Sequence, residues 1–193
     1  KSKTLETGIC EPFIVSWPGH IKADQESNAL IDFTDILPTF LDIAGVNSKD
    51  KWTDLNASHI IDGKSFKNVL LQGDEASERK WILGMGGGNN ARLTENGVEN
   101  QFKFRDRVLR DERYKLYIDA NRKPEKFFDL IQDPFERSNL IDSLKTGEIE
   151  NSFKNFMEIV KSFPLEDSDP QYKNNPPQEW DVEITAESGT WKM

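Results

Sequence analysis

The spacing of apolar and polar positions changes character along this chain, and the changes divide it. The first patterned stretch is Phe13-Ile14-Val15, inside Pro12 to Trp17, closed by Trp17-Pro18-Gly19. A short apolar run stopped by Pro-Gly predicts a buried strand. A helix follows over about Thr34 to Ala44, with Ile36, Phe40 and Ile43 on one face and Leu37, Leu41 and Ala44 beside them. Thr34 or Asp35 supplies its cap, Pro38 falls in the first turn where a missing N–H costs little, and Gly45 stops it. A strand leading into a buried helix is a fragment of an α/β layer.

Residues 46 to 80 are polar and loop-like, apart from an apolar island at Phe66 to Leu71. A soft boundary near Gly73 to Arg79 divides the chain into residues 1–75 and 76–193. Beyond it the period becomes two. Trp81-Ile82-Leu83 reads as a strand ending at Gly84, and Arg105–Leu109 with Tyr114–Ile118 as a hairpin about Asp111-Glu112. Tyr114, Leu116 and Ile118 alternate with Arg113, Lys115, Tyr117 and Asp119, which predicts burial of one face. Lys126–Leu130 is a further strand, closed by the turn at Asp133-Pro134. Strands in succession without intervening helices form an antiparallel sheet. The period then returns to 3.6. Ile149, Phe153, Phe156, Val160 and Phe163 make one stripe over Gly147 to Phe163, stopped by Pro164, and that stripe covers the sheet. The tail from Leu165, rich in Pro, Asp and Asn, either wraps the surface or is partly disordered. The expected class is therefore α/β at the start and α+β in the second half.

Composition narrows the function classes. The chain has 193 residues, 36% hydrophobic and 31% charged, with a net charge of −9 from 34 acids and 25 bases. No apolar run approaches the roughly 18 residues of a membrane span. The one basic cluster, Arg105, Arg107, Arg110, Arg113 and Lys115, is interrupted by Asp106, Asp111 and Glu112 and reads as a solvated hairpin face. Neither nucleic acid nor membrane is an expected partner. The chain opens on charged residues, with Lys1 rather than Met, and reads as a piece of something longer. Cys10 is the only cysteine, so no internal disulfide forms, and His20 and His59 have no metal-ligand spacing and read as surface loop residues. Asn56-Ala57-Ser58 is a glycosylation sequon.

Two local patterns invite chemistry. Gly86-Gly87-Gly88-Asn89-Asn90-Ala91 matches a dinucleotide fingerprint, but neither an amphipathic helix nor a P-loop Lys follows. It reads instead as a mobile loop beside a site, from which Asn89, Asn90 and Arg92 hydrogen-bond a sugar or its anionic groups. Cys10 as a nucleophile needs a base and an electropositive setting, whereas its neighbour is Glu11. An unreactive cysteine at a strand edge is the simpler reading.

Taken in order, these segments resemble the sulfatases. Lys1 to Pro12, KSKTLETGICEP, is similar to the family segment K-x-x-x-x-E-x-G-x-R-x-P. FIVSWPGHIKADQ resembles its strand and WPG-x-I turn, and ALIDFTDILPTFLDIAGV its helix. DGKSF resembles D-G-x-S-[LF]. RVLRDERYKLY and FFDLIQDPFERSNLI resemble its R-[YF]-K-[LY] strand and its [LF]-[YF]-D-L-x-x-D-P-x-E-x-x-N-L segment. The resemblance covers about Lys1 to Ile141.

It implies the C-terminal portion of a two-domain, formylglycine-dependent, arylsulfatase-like enzyme of the alkaline-phosphatase superfamily. Residues 1–75 would end the large α/β domain. Residues 76–193 would form a small antiparallel sheet packed by one long helix. It implies calcium held by residues outside this chain, with no metal ligand within it, and a sulfated small molecule or oligosaccharide as substrate. The rest of the same polypeptide would lie upstream, in a periplasmic, secreted or lysosomal enzyme. One catalytic residue carries over, Lys1 as a sulfate contact, with Lys3 in its place if the register slips. Cys10 stands where the family usually has Arg. No C/S-x-P-x-R nucleophile motif occurs, so the chain alone is expected to be inactive. The alternatives are a phosphonate or phosphodiester hydrolase of the same superfamily, or a non-catalytic binding module on this fold.

Overall fold

Alternating apolar residues in the second half assemble into one four-stranded sheet, antiparallel throughout. The strands, in sheet order, are β1 (Ile82–Met85), β4 (Arg107–Arg110), β5 (Tyr114–Ile118) and β6 (Pro124–Asp129). In this computed structural model the described residues are 4–46, 62–73, 77–85, 92–94, 97–99, 107–119, 121–144, 147–163 and 178–180. Register places Leu83 opposite Leu109, Leu109 opposite Leu116, and Leu116 opposite Phe127. Directly opposed residues share a face, so this row presents one apolar surface. The long helix α4 (Glu148–Ser162) covers it, burying Phe156 and Val160 against Leu109, Tyr114, Leu116, Ile118 and Phe127. Phe127 meets both Phe153 and Phe156 edge-on, at 5.5 and 6.1 Å between centroids.

The sheet departs from expectation on its other face. All five residues of β5 are buried, including Lys115 at 0% exposure. One buried face was expected, and the charged run through Lys115 was read as solvated. Both readings are corrected because the N-terminal segment lies across that second face. The short helix α1 (Glu6–Ile9) brings Ile9 against a cluster of Val108, Tyr117, Phe128 and Leu130. A second surprise is a small ladder, β2 (Arg92–Thr94) paired with β3 (Gly97–Glu99), in a stretch read as loop. The dipeptide Asn96-Gly97, frequent at tight hairpin turns, was its available signal.

The first half keeps its helix and loses its strand. A one-turn 3-10 segment, Phe33–Asp35, leads into α2 (Ile36–Ile43). The cap is Asp32, three residues ahead of the expected region's end at Asp35. Its side chain accepts from the Thr34 amide at 2.9 Å, while Asp35 accepts from the Asp32 amide at 2.8 Å. That reciprocal pair is a capping box. The extra turn moves the start backward, which is why neither Thr34 nor Asp35 caps. The buried side of α2 carries Pro38 and Thr39, whereas Phe40 is 64% exposed. Residues 11–17 form no strand, and Ile14 is 91% exposed. Extended backbone becomes a strand only when a neighbour completes the ladder, and the described residues supply none. The apolar island at Phe66 to Leu71 becomes α3 (Lys67–Gln72). No helix among the described residues is long and apolar enough to cross a membrane.

Candidate functional site

The covered face of the sheet holds an ionic network built from three distant stretches of sequence. β5 contributes Lys115 and Tyr117, which point the same way because they are two apart in a strand. The turn after β6 contributes Glu136. The N-terminal segment contributes Thr4 and Glu6. Lys115 Nζ donates to Glu136 Oε1 at 2.8 Å and to Glu6 Oε2 at 3.2 Å. Glu136 Oε1 also accepts the Glu6 amide at 2.7 Å. Arg110 Nε donates to Glu6 Oε1 at 2.8 Å. The Tyr117 hydroxyl reaches the Thr4 carbonyl at 3.0 Å and Glu136 Oε2. Its single hydrogen serves those two acceptors. Two cations face two carboxylates, so the cluster is balanced. The Glu136 side chain is 4% exposed. Burial pushes its carboxyl up, but hydrogen bonds from Lys115, Tyr117 and the Glu6 amide outweigh that and hold it low. Burial, with Glu136 second, pushes the Tyr117 phenol up, so it stays a donor.

The loop that positions Glu136 follows from its own sequence. Asp129 accepts the amides of Ile131 and Gln132 at 3.1 and 3.3 Å. Asp133 accepts those of Arg137 and Ser138 at 2.6 Å each. Asn139 Oδ1 takes the amides of Phe127 and Ile141 at 2.9 and 3.1 Å. Every polar residue of F-D-L-x-x-D-P-x-E-x-x-N-L thus closes this turn or joins the network. Arg113 ties the turn to helix α4, donating to Asp129 Oδ2 at 2.7 Å and to Glu148 Oε2 at 2.9 Å. The Arg113 hydrogen bond is the chief reason the Asp129 carboxyl lies low.

A second node joins α2 to the D-G-K-S-F segment. Arg79 binds both oxygens of buried Asp35, with Nε to Oδ2 at 2.7 Å, and Lys64 donates its amide to Oδ1 at 2.7 Å. Burial raises the Asp35 carboxyl, and Arg79 with the Lys64 and Asp32 amides more than reverses it. Thr39 Oγ1 donates to the Asp35 carbonyl and accepts the Phe66 amide at 3.0 Å. Gly63 lies so close that a Cβ there would collide with the Thr34 carbonyl and stand 2.9 Å from Pro38 Cγ. Glycine is required by this approach.

Of the expected site residues, Lys1 and Lys3 lie outside the described residues, as do Asn89 and Asn90. So do His59, the sequon at Asn56, the whole glycine run from Gly86 to Ala91 and most of the tail. Arg92 is described through its backbone alone, in β2 opposite Glu99. Cys10 is exposed just beyond α1, and His20 is stacked on Trp17 at 3.9 Å. No group of three His, Cys, Asp and Glu side chains among the described residues is arranged to hold a metal ion. Glu6, Lys115 and Glu136 received no role from their sequence context, although each stands at a motif position. What the network can do chemically is hold: its groups are paired with one another, and it grips the backbone next to Lys3.

Residues 1–162 match the family model described as N-sulphoglucosamine sulphohydrolase, C-terminal. An ulvan-active sulfatase of Formosa agariphila is 31% identical over 168 residues, covering 72% of this chain and 30% of that protein. The N-acetylgalactosamine-6-sulfatase of Rattus norvegicus is 37% identical over 73 residues, 38% of this chain and 13% of that protein. A solved structure in complex with its substrate, D-glucosamine-2-N,6-O-disulfate, aligns with a TM-score of 0.41 at 23% identity, covering 66% of this chain and 22% of that one. The chain thus spans less than a third of the length of either of these two curated relatives. On the match over residues 1–162, the chain belongs to the sulfatase family and corresponds to the C-terminal region of its members.

Proposed function

We propose that this chain is the C-terminal part of a longer sulfatase that hydrolyses sulfate esters of a carbohydrate. The observation that carries the reading is the network of Glu6, Lys115 and Glu136. Three motif positions, far apart in sequence, meet where Thr4 and Glu6 are held, three and five residues along the chain from Lys1. The names of the relatives favour a sugar substrate, one being an ulvan-active sulfatase and one an N-acetylgalactosamine-6-sulfatase. In this reading Lys1 contacts the sulfate, with Lys3 as the alternative register. A fixed ammonium neutralises a sulfate oxygen as charge moves onto the leaving oxygen, which favours the transition state over the ground state. Asn89, Asn90 and Arg92 contact the sugar. The formylglycine nucleophile and a calcium ion belong to residues outside this chain. Residues 1–75 close the catalytic domain and residues 76–193 form the small subdomain. The enzyme works in a periplasmic, secreted or lysosomal setting.

The test compares the full-length gene product with this chain alone, on an aryl sulfate and on sulfated polysaccharides. The full-length protein is expected to release sulfate and the chain alone to show none above buffer. Release by the chain alone, or cleavage of phosphonate monoesters without any of sulfate esters, would overturn the reading. Lys1→Ala in the full-length protein should lower turnover roughly 10²–10³-fold, by analogy with losing one oxyanion donor.

A further inference from the structure

We infer that Tyr117, supported by Lys115 and Glu136, is a positioning residue for the lysine-bearing segment ahead of Glu6. The inference rests on the reading of Lys1 as a sulfate contact and adds what holds that lysine in place. The segment is gripped at two backbone points. Its Thr4 carbonyl faces the Tyr117 hydroxyl at 3.0 Å, and its Glu6 amide donates to Glu136 at 2.7 Å. Both partners are themselves held, Glu136 by the fully buried Lys115 and Tyr117 by its place in β5 with its ring edge-on to Phe128 at 5.8 Å. Three residues of chain separate Thr4 from Lys1, so backbone dimensions alone keep the two Cα atoms within about 11 Å. Fixing Thr4 therefore fixes the point from which the lysine is tethered.

The chemistry of the network favours placement over mere stability. Apolar side chains of similar size would close this sheet face at least as well, because burying charges costs much of what their attraction returns. Apolar contacts are non-directional, however, and permit the segment to slide. Hydrogen bonds to a carbonyl and an amide two residues apart set its register, as directional contacts do. A cation that must meet a sulfate oxygen depends on such register, since small misplacement of a reacting group is costly in rate.

The test is a double-mutant cycle in the full-length enzyme, using Tyr117→Phe, Lys1→Ala and the pair, assayed for kcat and KM on an aryl sulfate. Tyr117→Phe keeps the ring and removes only the hydroxyl. It is expected to lower kcat about tenfold, the scale of one lost hydrogen bond, with an unchanged circular-dichroism spectrum. In the Lys1→Ala background the same change should alter kcat less than about twofold, because the residue it positions is gone. If Lys1→Ala is crippled and Tyr117→Phe costs the same factor in both backgrounds, or nothing in either, the positioning role is overturned while the sulfate contact stands. If Lys1→Ala is silent, the sulfate contact itself falls and takes this inference with it.

Discussion

Two apolar patterns of similar strength meet different fates in this chain. In the sheet, Val108, Leu109, Leu116 and Phe127 are fully buried. In the first half, Ile14 is 91%, Phe33 72% and Phe40 64% exposed. The difference is one of partners. The sheet has α4 on one face and the N-terminal segment on the other, whereas no described element covers Ile14 or the outer side of α2. An apolar period states what a segment tends to bury, and another segment decides whether it does.

The largest effect should separate the two regions most sharply. Phe156→Ala should cost about 3–5 kcal/mol in urea denaturation, as a buried aromatic truncated in a packed core. Phe40→Ala, on the exposed side of α2, should change it by less than about 0.5 kcal/mol. A loss near that of Phe156 at position 40 would show that α2 is covered in solution. Next comes the network. Lys115→Met leaves Glu136 without its buried cation and should cost about 3 kcal/mol by the same measurement, while a neutral result would mean that solvent reaches the site. Gly63→Ala should then cost about 2 kcal/mol, because the Thr34 carbonyl must retreat and α2 with it. A stable Gly63→Ala variant would show that the contact relaxes freely.

The smallest effect is one of pH, and its sign follows from the carboxylates. Glu136, Asp35 and Asp129 all lie below their ordinary values of 4.5, 3.8 and 3.8. The unfolded chain therefore binds protons that the folded chain refuses. Their stabilisation is complete above the unfolded values and is lost as pH falls from about 4.5 through the folded ones. Urea midpoints should be flat between pH 6 and 7 on this account and fall below about pH 4.5. Asp35→Asn should lessen the acid dependence, and an unchanged acid limb would remove Asp35 from the explanation.

Much of the second half was legible because strand alternation and the α4 stripe are local patterns, readable within about a dozen residues. The helix at 36–43 was legible for the same reason. Its cap was misread because Asp32 and Asp35 act as a pair across an added turn. The strand over residues 12–17 was misread because a ladder needs a neighbour. The role of Lys115 was missed because a lysine between Tyr114 and Leu116 looks solvated until the other face is covered. Its partners lie 109 and 21 residues away.

The sequence by itself determined the family, the antiparallel sheet with its covering helix, and the turn chemistry of Asp129, Asp133 and Asn139. The family follows from the resemblance of its motifs in order, and the rest from residue periods and from hydrogen bonds reaching at most about a dozen positions. Tertiary structure alone decided that both faces of β5 are buried, that Glu6, Lys115, Tyr117 and Glu136 form one network, and that Gly63 must stay small. Charge pairing and steric exclusion act through space at a few ångströms, and no spacing along the chain encodes which distant residues will be brought that close.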